Sequence, residues 1–255
     1  MNPYRVDTSW GGIVRSHIQN IRYILSIEKN LSVKVAFHAS NDLLIRTGLD
    51  SYVCKKDFLY HTRRYGQPGL WWPSKIAFQD KCLLNLLKVK NCDYIVASQI
   101  EGSVYTLDFL KNAVRIIDDF RLLDSDKFYP REEVFFSTIA EILGVSPCCH
   151  PYVFSEVHRY DAKLWSLWKI SKRIFNPLVS TIINKFFDKA FSVFGVGGLR
   201  ISDINSIRNN VLPELVVYDN DYKWIPYISA GGIFGVKRVP RQINNNLRKF
   251  INALD

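Results

Sequence analysis

Two carboxylates and a run of cations carry most of the chemistry this sequence can do. Glu132 and Glu133 stand behind Pro130 at the head of an apolar run. A carboxylate there can take the proton from an attacking hydroxyl, or it can serve only as a first-turn acid worth about 0.3–1 kcal/mol at a helix N-terminus. Lys237, Arg238 and Arg241 are cations of the kind that bind phosphates, with arginine adding bidentate contacts, and a solvated charged face is their plain alternative. Where fixed cations neutralise a leaving group, no divalent metal is needed, so neither a metal nor a cofactor is expected. Two Asp-x-Asp pairs, Asp124/Asp126 and Asp219/Asp221, offer hard oxygen ligands to Mg²⁺ or Mn²⁺ as the competing possibility, the second following a strand-like run. His38 and His61 have no metal-ligand spacing, and Asp42 follows an Asn in ordinary turn chemistry. Gly102, Gly195, Gly197 and Gly198 fit tight turns as well as phosphate loops, since no Walker or GxGxxG pattern surrounds them.

These residues need elements to hold them, and the periodicity supplies a sequence of helices and strands. Apolar spacing predicts a helix over Ile13–Ile27, a short strand over Ser32–His38 running into the turn Ala39–Asp42, and a short helix over Leu49–Val53. Gly66, Pro68, Gly69 and Pro73 make Tyr60–Trp72 a loop. A helix over Ser74–Lys88 and a strand over Tyr94–Ala97 follow, then helices over Leu107–Leu123 and Glu132–Leu143, the latter with Pro130 as its first helical position. Beyond Pro147 the pattern weakens, with a helical subregion expected within 160–190, strands at Val216–Tyr218 and Ile233–Val236, and a closing helix over Asn244–Leu254. Alternating helices and strands imply one α/β domain over residues 1–255, a mixed sheet flanked by helices.

Four segments, in this order, resemble the core-2/I-branching N-acetylglucosaminyltransferase family. Val35-Ala-Phe-His-Ala-Ser-Asn-Asp42-Leu-Leu-Ile-Arg46 is similar to that family's strand and Gly-Gln-Asp-Phe-Pro-Leu-Lys turn, with Asp42 at the Asp and Arg46 at the Lys. Tyr60-His61-Thr-Arg63-Arg64 resembles its His/Arg-rich acceptor loop, and Glu101-Gly-Ser-Val-Tyr105-Thr-Leu107 its Gly-Ser-x-Tyr-x-x-Leu element. Pro130-Arg-Glu132-Glu133-Val-Phe-Phe-Ser-Thr138 resembles its Pro-Asp-Glu-His-Phe-Trp-Ala-Thr-Leu helix start. Gly195–Leu199 and Phe234–Arg238 are looser matches to its late Gly-rich and basic elements. The resemblance implies a glycosyltransferase A-like nucleotide-sugar fold and an inverting transfer of a sugar, N-acetylglucosamine in that family, from a nucleotide-sugar donor to a saccharide acceptor. Glu133 would be the general base; Asp42, Arg46, His61, Arg63, Arg64 and Glu101 would bind the acceptor; Lys237, Arg238 and Arg241 would hold the donor diphosphate. The family grips its nucleotide partly with strands that precede the Asp42 turn, so the chain is expected to be short of those first strands. Polysaccharide or surface-glycan biosynthesis is the setting this implies.

Composition bounds the alternatives. The 255 residues, 47% hydrophobic and 14% aromatic, can bury a sizeable core. No apolar run reaches the roughly 20 residues of a membrane span, and the N-terminus lacks the basic start and apolar stretch of a signal peptide, so a cytoplasmic protein is expected. Five cysteines with no CxxC pair argue against zinc and a disulfide framework, the adjacent Cys148 and Cys149 reading as partly buried thiols. The net charge of +10 calls for an anionic partner. A nucleotide diphosphate fits, as does peripheral contact with the inner face of a membrane, for which Trp165, Trp168, Lys169, Lys172 and Arg173 have the composition, although a core-facing helix with a basic outer side fits those five better. No nucleic-acid recognition module is present, so nucleic acid is not expected as a partner. The rival to the enzyme is a non-catalytic basic protein that binds glycans or a membrane surface.

Overall fold

Val14, Ile18 and Ile21 recur at three- and four-residue intervals, and they are the buried positions of the first helix. The computed structural model describes every residue except 1, 5, 9, 10, 70, 149, 155–198, 213–229 and 255. In chain order its elements are α1 (Ile13–Ile27), β1 (Lys34–Ala36), β2 (Leu43–Leu44), α2 (Leu49–Cys54), β3 (Arg63–Tyr65), α3 (Trp72–Ala77), α4 (Lys81–Val89), β4 (Ile95–Ala97), β5 (Val104–Thr106), α5 (Leu107–Asp119), α6 (Glu132–Ile142), β6 (Tyr152–Phe154), α7 (Ile201–Arg208), β7 (Gly235–Lys237) and α8 (Asn246–Asn252). They fall into two compact units, Met1–Ala39 with Gly48–Pro151, and Ser40–Thr47 with Tyr152–Asp255. The chain is mixed α/β. Among the described residues, however, the expected single sheet gives way to three small ones, because each strand is only two or three residues long.

In the first unit β1 runs antiparallel to β5, with Lys34 opposite Thr106 and Ala36 opposite Val104, and β3 runs antiparallel to β4, with Arg63 opposite Ala97. Residues of α1, α4, α5, α6 and β4 share one core, in which Tyr105 stacks on Tyr60 and Phe109 at centroid distances of 5.5 and 5.1 Å. The helix expected over Ser74–Lys88 is two helices. Asp80 separates them, because its buried carboxylate accepts hydrogen bonds from the backbone N–H groups of Cys82 and Leu83 and so starts α4 afresh. The helix expected to reach Leu123 ends at Asp119. Arg121, at φ 52°, leaves the right-handed region, and a 3-10 turn follows at Leu122–Asp124. β3 lies inside the stretch expected to be loop. Pro130 precedes the first helical position: its carbonyl accepts from the Glu133 N–H at 3.1 Å, which makes it the entry turn to α6.

The second unit is built on a three-stranded sheet in the order β2-β7-β6, antiparallel on one side and parallel on the other. Ile45, Val153, Ile204, Ile207, Val236 and Ile251 are buried together, which joins that sheet to α7 and α8. Gly235 is required in β7 by its neighbour: a Cβ there would stand 2.7 Å from the Tyr152 ring. The expected strand at Val216–Tyr218 and the helical subregion at 160–190 lie outside the described residues.

Candidate functional site

Glu133 sits in the first turn of α6, and a chain of buried polar groups sets that turn. Arg131 is buried, and its guanidinium donates to the carbonyls of Leu123, Ser125 and Lys127 while lying 5.8 Å from the Tyr129 ring centroid. The loop before α6 is thereby drawn around one cation. Tyr129 donates its hydroxyl to Asp80 at 2.9 Å. Burial, reinforced by the Asp80 charge and this hydrogen bond, holds that phenol protonated far above its ordinary range. Glu132 is buried and Glu133 half-buried, both where the helix N-terminus favours negative charge.

The rest of the motif around Glu133 has structural duties. Ser137 donates to the Val96 carbonyl at 2.7 Å and Thr138 accepts from the Val96 N–H at 2.9 Å, so two hydroxyls of α6 stitch it to β4. The Glu133 carbonyl accepts from the Ser98 N–H at 2.8 Å, and the Ser98 hydroxyl in turn accepts from the His61 N–H at 2.9 Å. Ser98 opens a tight loop in which Ser103 donates to the Gln99 carbonyl at 2.6 Å. Gly102, at φ 88°, gives its N–H to the Phe37 carbonyl at 2.7 Å, a backbone conformation that favours glycine. The first unit therefore gathers Glu133, His61 and Glu101 around one loop, Ser98–Ser103.

Two histidines extend this region. His61 is buried and stacks on His150, centroids 4.0 Å apart and ring planes 13° from parallel. His150 has no spacing signal in the sequence. His17, on α1, is half-buried, and burial pushes its imidazole down to about 4, against the opposing pull of Glu101. The arginines of the expected acceptor loop diverge because they alternate along β3. Arg63 lies over the rings of Trp71 and Tyr65, at 4.7 and 5.3 Å. Arg64 pairs with Glu141 at 2.6 Å, and Glu141 also accepts from the Tyr94 hydroxyl at 2.8 Å.

In the second unit, Asp42, Lys237 and Arg238 meet at one end of the three-stranded sheet. The pairing of Leu43 with Val236 carries Asp42 opposite Lys237, one step further along, and both residues are buried. Asp42 Oδ1 accepts from the backbone N–H of Arg238 at 3.2 Å, and Arg238 holds φ 58°. The buried Tyr152 hydroxyl has its pKa raised by burial first and by the Asp42 charge second, which puts it in the same cluster without any sequence signal. Arg238 and Arg241 are exposed, Arg241 donating to the Ser40 hydroxyl at 3.4 Å. Arg46 is committed to its own unit: it donates to Asn210 Oδ1 at 2.9 Å, to the Ala230 carbonyl at 2.6 Å and to the Ile207 carbonyl, and lies over the Phe234 ring.

Asp124 pairs with Arg121 at 2.7 Å and Asp126 with Lys127 at 3.5 Å. Among the described residues no three His, Cys, Asp or Glu side chains are gathered to hold a metal, and no helix is long and apolar enough to cross a membrane. Asp219, Asp221, Gly195–Gly198 and the tryptophan–lysine stretch around Trp165 lie outside the described residues. No known family, curated protein or solved structure matches this chain.

Proposed function

We propose that the chain is an inverting glycosyltransferase with a glycosyltransferase A-like fold, moving a sugar such as N-acetylglucosamine from a nucleotide-sugar donor to a saccharide hydroxyl. The observation that carries this reading is Glu133: its half-buried carboxylate stands in the first turn of α6, and its backbone carbonyl accepts from the N–H of Ser98, the serine that also fixes His61. In the proposed step the acceptor oxygen attacks the anomeric carbon and gives its proton to Glu133. The bond to the diphosphate breaks, and its electron pair leaves with the phosphate oxygen. Roles are assigned unit by unit. In the first, His61, Arg63, Arg64 and Glu101 contact the acceptor. In the second, the exposed Arg238 and Arg241 neutralise the diphosphate, and Lys237 lies buried opposite Asp42. Fixed cations make the reaction independent of a divalent metal.

The test has two measurements. With UDP-N-acetylglucosamine and a panel of saccharide acceptors, Glu133→Gln is expected to lower transfer at least about 100-fold while costing no more than about 1 kcal/mol in urea unfolding. Full transfer in that variant removes Glu133 as the base. Calorimetric titration with UDP in EDTA is expected to give binding that Arg238→Ala weakens. Binding that requires Mn²⁺ shifts the diphosphate site toward Asp219 and Asp221. Absence of binding in both buffers favours a non-catalytic protein that binds glycans or a membrane surface.

A further inference from the structure

Within the first unit, α1 and the end of β1 enclose a cleft of about 380 Å³, inside the size range of small-ligand sites. Its apolar lining includes Ile21, Ile24 and Phe37, and its polar lining is Asn2, Asn20, Tyr23, His17 and His38. In a chain of net charge +10, no Lys, Arg, Asp or Glu is among the described lining residues. The described lining thus offers a phosphate or carboxylate no counter-charge for the hydration it gives up, and offers an uncharged polar ligand several hydrogen-bonding groups.

The polar groups suit a partner that both donates and accepts. His17, with its imidazole pushed down to about 4, is neutral at physiological pH and offers one donor and one acceptor nitrogen. Asn20, an exposed residue of α1, accepts from Asn2 Nδ2 at 2.8 Å through its side-chain carbonyl, and its amide NH₂ is a donor. The backbone adds to this. Phe37 turns both its N–H and its carbonyl to β5, bonding Ser103 at 2.9 Å and Gly102 at 2.7 Å, so by strand alternation the N–H and carbonyl of Ala36, which also lines the cleft, point away from β5.

Mixed donors and acceptors around an apolar surface, with no charged side chain among the described lining residues, match a ring bearing several hydroxyls and carrying one apolar face. We infer that the α1–β1 cleft binds one uncharged pyranose unit of a saccharide, its hydroxyls met by Asn20, His17 and the Ala36 backbone and its apolar face by Ile21 and Phe37. The choice of a sugar over another neutral ring rests on the proposed transferase reading.

Saturation-transfer NMR and titration on the full chain test this, with methyl β-N-acetylglucosaminide and methyl β-galactoside as probes and the neutral nucleosides adenosine and uridine as controls. Expected is transfer to a methyl glycoside in the wild type and in Glu133→Gln, with at least about tenfold weaker binding in Asn20→Ala and in His17→Gln and no effect of either substitution on nucleoside signals. Asn20 is exposed on a helix, so its replacement leaves the fold intact. Absence of transfer to both glycosides, binding indifferent to both substitutions, or a preference for the nucleosides overturns the inference. Glycoside binding in a chain that transfers no sugar refutes the catalytic reading alone; catalysis with no Asn20-dependent glycoside binding refutes the cleft alone.

Discussion

Acidification should weaken this fold through His17, by an amount that follows from its surroundings. Its imidazole has an ordinary value of 6.5 and is lowered to about 4 in the folded chain, burial outweighing the Glu101 carboxylate. Between those two values the unfolded chain binds a proton that the folded chain refuses, so stability rises with pH across that window and is complete above it. From pH 7 to pH 5, the protonation ratio of the two states changes enough to remove about 2 kcal/mol, and the partial exposure of the ring makes that an upper figure. His17→Gln keeps a polar side chain and removes the titration. The assay is urea unfolding of both proteins at half-unit steps from pH 7.5 to 4.5. The difference between the two stability profiles cancels every other titrating group. Wild type is expected to lose about 1–2 kcal/mol more than the variant on acidification, almost all of it below pH 6.5. Parallel profiles, or a variant that loses more than wild type, would refute the argument that His17 is held neutral by burial.

Other consequences can be measured alongside. Asp80→Ala removes the acceptor of two backbone N–H groups and of the Tyr129 hydroxyl, and is expected to cost about 2–4 kcal/mol in urea unfolding. In a double-mutant cycle, adding Tyr129→Phe should recover part of that loss, because the stranded phenol disappears; strict additivity would mean the Tyr129–Asp80 bond contributes nothing. Gly235→Ala places a methyl 2.7 Å from Tyr152 Cε1 and 2.8 Å from Cδ1, with the Tyr152 ring buried beside it, and should lower stability by about 1–3 kcal/mol. A Gly235→Ala protein as stable as wild type would show that the Tyr152 ring gives way freely.

The elements legible in the sequence are those whose order comes from within the segment. α1, α5 and α6 each repeat buried apolar residues at helical spacing, and β1 alternates, so periodicity alone finds them. β2, β3, β5 and β6 are too short to display a period and exist only through partners elsewhere, as Leu43 does through Val236 and Arg63 through Ala97. α7 escaped notice because only Ile204 and Ile207, with Asp203, mark its buried face. The candidate site divides in the same way. Glu133 and the basic cluster at Lys237–Arg241 stand out by residue type. The residues around them, Ser98 by its hydrogen bonds, His150 by its stack on His61 and Tyr152 beside the Asp42 charge, are of common type, and their roles depend on contacts far along the chain. Nothing in the sequence shows the partners that Arg64 and Arg46 take within their own units: one is paired with Glu141, and the other is held by two carbonyls and Asn210.

The segment Ser40–Thr47 belongs to the second unit although it is made before most of the first. Asp42 and Arg238, joined by a hydrogen bond, are 196 positions apart. At ribosomal rates of roughly 5–20 residues per second, β2 waits on the order of 10–40 s for β7 to be synthesised. During that interval Leu43 and Ile45 lack their partners in and beside β7, and the second unit cannot complete its sheet until β7 is made, however quickly the first one folds. The same threading means that a gene cut between Pro151 and Tyr152 yields a C-terminal piece missing an edge of its own sheet. Supplying residues 40–47 as a separate peptide would be the way to make that piece whole.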